Sequence, residues 1–187
     1  MLNDNFLEEI ATKHNRGLQT FSFLLANVLM VVFGVIAFIY LQIIMMMLNS
    51  GVETMDIIIA VVQTLLMAAL AVLLFFFRDR IRTEYEYTFT NGVMDFAVVY
   101  NNKKRKNLGT MNIKNVEALG FVDSGSFQRY LKMPGLKTNN WFVNRDAKLF
   151  YFYFNKENTK RMIVIEVSDE MADLLKHYAT PGTFQVN

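Results

Sequence analysis

Two long runs of apolar residues dominate the first half of the chain. They extend over about residues 20–48 and residues 57–77, and neither contains Asp, Glu, Lys or Arg. As helices they would be about 43 Å and about 32 Å long at ~1.5 Å per residue. Because the hydrocarbon core of a bilayer is ~30 Å thick, the pattern predicts two membrane-spanning helices joined by a loop at residues 49–56. The first run is too long for a cleavable signal peptide.

Basic residues flank the two runs and predict their orientation. They are Lys13, Arg16, Arg78, Arg80 and Arg82, whereas the loop at residues 49–56 has no Lys or Arg. Loops rich in Lys and Arg stay in the cytoplasm. We therefore expect both termini in the cytoplasm, residues 49–56 outside, and residues 83–187 as a cytoplasmic domain.

Small and polar residues within the runs predict how the two helices pack. Ala60, Thr64 and Ala68 repeat every four residues and form a ridge that allows close approach of a second helix. Ala26 and Gly34 are candidates for the facing positions on the first helix. Gln42 and Gln63 lie at similar depth and could share a hydrogen bond. We favour packing over a transport site because neither run contains an acid or a base.

The first sixteen residues have a weaker apolar pattern. Leu2, Phe6 and Ile10 are spaced four residues apart, with acidic residues between them. This spacing predicts a short amphipathic helix over residues 1–16, lying at the inner membrane interface.

The second half of the chain alternates apolar and polar residues, as β-strands do. Residues 83–90 and 93–100 flank Asn91-Gly92, which is the strongest short-range signal for a β-hairpin. A two-residue turn fixes the register, and three pairs then share one apolar face: Phe89 with Met94, Tyr87 with Phe96, and Tyr85 with Val98. One buried face and one wet face are typical of an antiparallel sheet.

Further strands are predicted at about residues 108–112, 116–122, 148–155 and 161–167. The last two are apolar on both faces, so they should be central in a sheet or covered on both sides. In residues 123–147 the apolar and polar residues follow neither the spacing of a helix nor that of a strand. Residues 168–178 predict an amphipathic helix with Ser168 as its N-cap. Strands followed by one helix indicate a small barrel or sandwich with one end covered by the helix.

This layout resembles bacterial membrane proteins with a pleckstrin-homology-like (PH-like) domain. More narrowly, it resembles small two-span bacterial proteins defined only as a domain of unknown function. The residues that carry the resemblance are Tyr85, Tyr87, Asn91, Gly92, Ile113 and Val116. The resemblance implies a membrane α-helical hairpin followed by a mainly-β PH-like domain with a C-terminal helix, located in the bacterial cytoplasmic membrane. It supplies no general set of catalytic residues.

Charge adds one candidate site. Residues 1–77 contain two basic and five acidic side chains, whereas residues 78–187 contain 17 basic and 12 acidic side chains. The run Lys103, Lys104, Arg105 and Lys106 is expected in a loop at residues 101–107, because the preceding hairpin returns the chain to the end at which it began. Basic residues near an anionic leaflet contribute about 1 kcal/mol each. The run is therefore a candidate site for lipid headgroups; nucleic acid is not expected, because no aromatic stacking platform accompanies it.

The sequence offers little catalytic chemistry. It has no Cys and two His, and it lacks the short motifs of hydrolases, zinc proteases and phosphate loops, so no cofactor or metal is expected. The two spans, the resemblance to PH-like proteins and the missing catalytic motifs together favour a membrane scaffold or accessory protein that binds a protein partner or a second copy of itself. Two alternatives stay open: a membrane-surface enzyme with acids around Asp123 or Asp146, and a subunit of a small oligomeric channel or transporter.

Overall fold

A computed structural model describes residues 5–186, which form two compact units. One unit is helical and extends from Asn15 to Arg82. The other consists, among the described residues, of residues 5–14 together with residues 83–186. The second unit is therefore assembled from two pieces of chain that lie on either side of the helices in the sequence.

The helical unit contains the two predicted helices, with longer bounds. Helix α1 is Arg16–Asn49, α2 is Thr54–Phe77, and a 3-10 turn follows at Arg78–Ile81. Helix α1 begins four residues earlier than its apolar run because the Asn15 side chain caps it, accepting a hydrogen bond of 3.0 Å from the Leu18 amide. Only 6% of the most apolar stretch of each helix is buried. Both helices are long and apolar enough to span a membrane, and a core helix of a soluble protein would be mostly buried.

The segment before the helices is a strand, so the prediction of an amphipathic helix over residues 1–16 is wrong. Strand β1 is Phe6–Ala11 and pairs antiparallel with β2, Thr83–Thr90. Phe6 and Ile10 are exposed on one face of the strand, whereas Leu7 packs against the core and Ala11 is buried. The segment adopts the alternation of a strand because β2, which follows it 74–84 residues later in the chain, supplies the hydrogen-bond partners. Leu2 lies outside the described residues.

The predicted hairpin and its register are confirmed. Strand β3 is Val93–Tyr100, and Phe89 faces Met94, Tyr87 faces Phe96, and Tyr85 faces Val98. Asn91 and Gly92 have φ values of 49° and 89°, as the two-residue hairpin turn requires. Strand β4, Lys104–Asn112, completes a four-stranded sheet of order β1-β2-β3-β4, which we call sheet A.

A second sheet, sheet B, has five strands in the order β6-β8-β7-β5-β9. The elements are β5 Ala118–Phe121, α3 Gly125–Leu131, β6 Lys137–Trp141, β7 Leu149–Lys156, β8 Thr159–Glu166, α4 Asp169–Tyr178 and β9 Phe184–Gln185. Among the described residues the two sheets do not close into a barrel. This unit is a mainly-β sandwich with a C-terminal helix.

The main core lies between the two sheets and under α4. Phe96 of sheet A contacts Phe152 of sheet B, and Met171 and Leu175 of α4 are fully buried in the same cluster. The Ser168 hydroxyl accepts a hydrogen bond of 3.1 Å from the Met171 amide, so the predicted N-cap of α4 is confirmed.

Strand β7 is covered on both sides, as its sequence predicts. Phe150 and Phe152 face the main core, whereas Tyr151 and Tyr153 face α3 on the outer side of sheet B. Helix α3 and strand β6 both lie in residues 123–147, where the sequence predicts no period. Strand β6 is missed because it is a short polar edge strand, with only Asn139 and Trp141 partly buried.

Candidate functional site

The basic run is not a loop, and this corrects the prediction for residues 101–107. The turn is confined to Asn101, Asn102 and Lys103, where Lys103 N–H donates a hydrogen bond of 3.0 Å to the Tyr100 carbonyl. The next three basic residues are the start of β4 and pair with β3. The turn is shorter than expected because Asn101 and Asn102 adopt φ values of 51° and 52°, which Asn tolerates.

Strand alternation divides the basic side chains between the two faces of sheet A. Lys104 and Lys106 lie opposite Tyr100 and Val98, on the face that continues into the core, whereas Arg105 lies opposite Val99 on the other face. All four basic residues of the run are exposed. Charges that point inward at the end of an edge strand also discourage pairing with another sheet.

Arg105 has a partner, whereas the lysines of the run have no ion pair among the described residues. Its Nε donates a hydrogen bond of 2.6 Å to Glu86 Oε2 on β2. The hydrogen bond to Glu86 and the charge of that carboxylate raise the pKa of Arg105. The carboxylate neutralises Arg105 locally, so the free positive charge of the run lies on Lys103, Lys104 and Lys106.

The chain leaves sheet A for the helices at the end of β1 and returns to it at the start of β2, and these two points are close together in the sheet. Ala11, near the end of β1, lies opposite Tyr85 on β2, and β2 itself begins at Thr83. Thr83 lies opposite Tyr100, which lies opposite Lys104. Since adjacent strands are ~4.8 Å apart, Lys104 lies about 10 Å from Thr83.

The predicted ridge of α2 lies partly in the helix contact. Ala60 is 6% exposed, and Thr64 and Ala68 are partly buried on the same side of the helix. Thr64 Oγ1 donates a hydrogen bond of 2.8 Å to the Ala60 carbonyl, so its hydroxyl is satisfied within α2. On α1 the buried residues are Ala26 and Ile44.

The other helix-packing candidates lie away from the contact. Gly34 is exposed, and a Cβ built on it would meet no atom within 4 Å. Gln42 and Gln63 are also exposed, so the predicted hydrogen bond between them is not part of the contact between α1 and α2. The position of a residue in an apolar run gives its depth along the helix but not the direction in which it faces around the helix axis. Both glutamines face away from the partner helix.

A polar contact that the sequence did not predict links the helices near one end. Arg78 Nη1 donates a hydrogen bond to Asn27 Oδ1 and lies 3.7 Å from the sulfur of Met30. Asn27, a polar residue within an otherwise apolar run, is the one feature of the sequence that could have indicated this contact.

Two further contacts link the start of α1 to the 3-10 turn and the residue after it. Gln19 Nε2 donates a hydrogen bond of 2.9 Å to the Ile81 carbonyl. Arg82 lies over the ring of Phe23 at 4.2 Å, in a cation–π contact.

The residues considered for catalysis are dispersed. Asp146 is exposed and lies 3.4 Å from His14 Nδ1, whereas Asp123 is in the turn between β5 and α3. Within residues 5–186, no three His, Asp or Glu side chains lie close enough to hold a metal ion.

Comparison with known proteins identifies the family. The family described as "Bacterial PH-like domain (DUF6106)" matches residues 3–185, which is nearly the full chain. No curated protein and no solved structure is found to match. The match includes the helices and the strand that precedes them, as well as both sheets. This chain therefore belongs to the bacterial PH-like domain family.

Proposed function

We propose that the protein is an integral membrane scaffold or accessory protein of the bacterial cytoplasmic membrane. Helices α1 and α2 span the bilayer as a hairpin, with both termini and the PH-like unit in the cytoplasm. The PH-like unit binds a protein partner or a second copy of the chain, and Lys103, Lys104 and Lys106 contact anionic headgroups.

The pairing of β1 with β2 is the observation that carries the topology. Strand β1 ends at Ala11 before the helices begin, and β2 starts at Thr83 after they end. Because the two strands share six register positions in one sheet, the chain must return to the side of the membrane that it left. Two crossings meet this requirement, and the basic flanks favour the cytoplasm as the shared side.

The contact between Asn27 and Arg78 supports a position for the inner boundary of the hydrocarbon. Beyond it, residues 28–48 of α1 and residues 57–77 of α2 form apolar stretches of equal length, about 32 Å at ~1.5 Å per residue. That length matches the ~30 Å core, whereas the full α1 would be about 51 Å long. The start of α1 then lies among the headgroups, and the long side chains of Arg78 and Arg82 can extend their charged ends toward the same region.

The unpaired edge of sheet B supports a role in protein contacts. Strand β6 ends this sheet, so one row of its backbone N–H and C=O groups has no partner strand among the described residues. Such a row can pair with an extended segment of another protein. A channel role is less well supported, because the exposed Gln42 and Gln63 would line a polar path only between several copies of the chain.

Cysteine labelling tests the topology directly, since the chain has no native Cys. Ser50→Cys lies in the loop between α1 and α2, and Asp123→Cys lies in an exposed turn of the β unit. In intact cells, a membrane-impermeant maleimide should label Ser50→Cys, and it should label Asp123→Cys only after permeabilisation. Labelling of Asp123→Cys in intact cells, with Ser50→Cys protected, would overturn the proposed orientation.

A photo-crosslinker at two sites tests the contact role in living cells. At the exposed Asn140 of edge strand β6 it should give a discrete crosslinked product, and at the exposed Asp173 of α4 it should not. Mass spectrometry of the product separates a second copy of the chain from another protein. Equal, diffuse crosslinking at both positions would contradict a defined contact edge.

A further inference from the structure

The two sheets leave a cleft between edge strands β4 and β6. Its volume is about 280 Å³, close to the lower end of the ~300–1,000 Å³ typical of small-molecule sites. The cleft lies wholly within the β unit. Its apolar lining consists of Phe96, Leu108, Met111, Trp141, Phe154 and Ile163, and its polar lining includes Asn112, Asn115, Asn139, Asn155, Lys156 and Arg161.

The alternation of β7 and β8 explains why apolar and basic side chains meet in the cleft. Phe152 lies opposite Ile163, and one step further along the same face Phe154 lies opposite Arg161. The face that forms the main core therefore continues outward into Phe154 and Arg161, and then into Lys156. The result is an apolar floor with cations at its mouth.

Arg161 and Lys156 give the cleft an uncompensated positive charge. The lining contains these two cations and no carboxylate. The Arg161 side chain is only partly buried, and its Nε, which is shielded from solvent, has no hydrogen-bond partner. The terminal nitrogens of the guanidinium are therefore the donors that a ligand can reach. A ligand with negative charge would accept charge-assisted hydrogen bonds from them and complement both cations.

The floor of the cleft is fixed by aromatic contacts. Phe96 packs against Trp141 with ring centroids 5.1 Å apart and against Phe152 at 6.2 Å. The Tyr87 hydroxyl donates a hydrogen bond to the Trp141 carbonyl and so ties β6 to sheet A. Flat rings held in this way favour a ligand with a flat apolar body.

We propose that this cleft binds a small organic carboxylate with a flat apolar body. The apolar part lies on the partly exposed Trp141 and Phe154, and the carboxylate accepts hydrogen bonds from Arg161, with Lys156 adding charge. The four Asn side chains of the lining can bind further polar atoms of the ligand. This site does not depend on the proposed membrane topology, and it shares strand β6 with the proposed protein contact.

Trp141 makes the proposal testable, because it is the only Trp in the chain and it lines the cleft. The full-length protein in phosphatidylcholine nanodiscs is titrated with 3-phenylpropionate and 1-naphthoate, each beside its neutral amide. We expect a saturable change in Trp141 emission with each carboxylate and at least about tenfold weaker binding of each amide. Carboxylates and amides that bind alike, or no saturable change with either carboxylate, would overturn the proposal.

Two variants locate the anion contact. Arg161→Gln should weaken carboxylate binding at least about tenfold while leaving amide binding unchanged. Lys160→Gln is the matched control, because Lys160 is the neighbouring cation on β8 and does not line the cleft. Equal carboxylate affinity in Arg161→Gln and the wild type would contradict the assignment. The comparison of carboxylate with amide on the wild type stands even if a variant fails to fold.

A titration with a peptide tests the competing possibility that the cleft binds the C-terminus of a protein. A six-residue peptide that ends in Phe with a free carboxylate is compared with 3-phenylpropionate, which shares its aromatic ring and acid. Similar affinities support a small-molecule site. Binding of the peptide more than about a hundredfold tighter would overturn the small-molecule assignment in favour of a peptide terminus.

Discussion

The side-chain amide of Asn144 donates a hydrogen bond to the backbone carbonyl of Thr12, with 2.8 Å between Nδ2 and the oxygen. The same side chain accepts a hydrogen bond of 2.9 Å from the His14 amide. Glu166 accepts hydrogen bonds from Asn144 Nδ2 at 3.0 Å and from the Asn144 backbone N–H at 2.7 Å. Asn144 is 6% exposed. It therefore ties the segment that precedes α1 to the loop that follows β6.

Replacing Asn144 by Ala should destabilise the β unit by about 1–3 kcal/mol, because buried partners lose their hydrogen bonds. Denaturant unfolding followed by Trp141 fluorescence measures the change. Asn140→Ala on the exposed face of β6 is the control and should lie within about 0.5 kcal/mol of the wild type. Equal stability of the two variants would show that the loop does not hold the N-terminal segment.

Glu9 and Ser168 should be energetically coupled. Glu9 Oε2 accepts a hydrogen bond of 3.1 Å from the Ser168 amide, and Glu9 Oε1 accepts one from the Ser168 hydroxyl. Ser168→Ala also removes the N-cap of α4, which costs typically about 1 kcal/mol. In a double-mutant cycle with Glu9→Gln we expect a coupling energy of at least ~0.5 kcal/mol. Additive effects would mean that β1 and the start of α4 are independent.

Gly92 should tolerate substitution less well than Gly135. Both have positive φ, 89° and 76°, so Ala is strained at either position. A Cβ on Gly92 would also lie 2.7 Å from Cδ1 of Tyr178, whereas a Cβ on Gly135 would meet no atom within 4 Å. We expect Gly92→Ala to lower the free energy of unfolding by at least ~1 kcal/mol more than Gly135→Ala. Equal losses would show that Tyr178 moves aside at little cost.

The β unit should lose stability in alkali. Burial raises the pKa of Tyr87, which is 1% exposed, so the neutral hydroxyl is favoured in the folded state. Unfolded tyrosine loses its proton near pH 10, and the free energy of unfolding should therefore fall as the pH rises above about 10. Tyr87→Phe should be less stable at pH 8 but should show a shallower fall, which unfolding curves from pH 8 to 11.5 would measure.

Some alkaline loss should remain in Tyr87→Phe. Burial also raises the pKa of Tyr85, Tyr151 and Tyr153. Curves of identical slope for the wild type and Tyr87→Phe would contradict a role for the Tyr87 hydroxyl in the pH dependence.

The lysines of the basic run should give a preference for anionic lipid. Lys103→Gln, Lys104→Gln and Lys106→Gln are combined in the full chain, and the proportion of spin-labelled phosphatidylglycerol immobilised by the protein is measured. We expect a reduced preference over phosphatidylcholine at low salt, about 1 kcal/mol for each lysine near the surface. The difference should disappear near 1 M salt, where the Debye length is ~3 Å.

A second triple variant with the same change of charge is the control for the lipid experiment. Lys114, Lys132 and Lys176 are exposed elsewhere on the β unit, and replacing them by Gln should leave the lipid preference unchanged. An equal loss in both triple variants would indicate a general effect of net charge. The proposed contact between the basic residues at the start of β4 and the headgroups would then be wrong.

Local patterns were sufficient for the elements whose signals lie within a few residues. Uninterrupted apolar runs predicted α1 and α2, and Asn91-Gly92 predicted both the hairpin and its register. Ser168 and the apolar stripe behind it predicted α4. In each case the spacing of neighbouring residues already encodes the geometry.

Tertiary contacts decided the remaining features. The spacing of Phe6 and Ile10 fits a helix or an exposed strand face, and only pairing with β2 selects the strand. Polar β6 is a strand because β8 lies beside it, and Gly34 and Gln42 are exposed because helix rotation depends on the partner helix.

The sequence by itself determined two apolar helices, a hairpin with its register, and a capped C-terminal helix, because those signals act over a few neighbouring residues. Only the tertiary structure decided that β1 belongs to sheet A, that Asn27 meets Arg78, and that Arg161 reaches the cleft beside Trp141. The physical reason is that hydrogen bonds and burial between distant residues depend on which segments of the chain meet. The spacing of neighbouring residues does not specify which distant segment will pack against them.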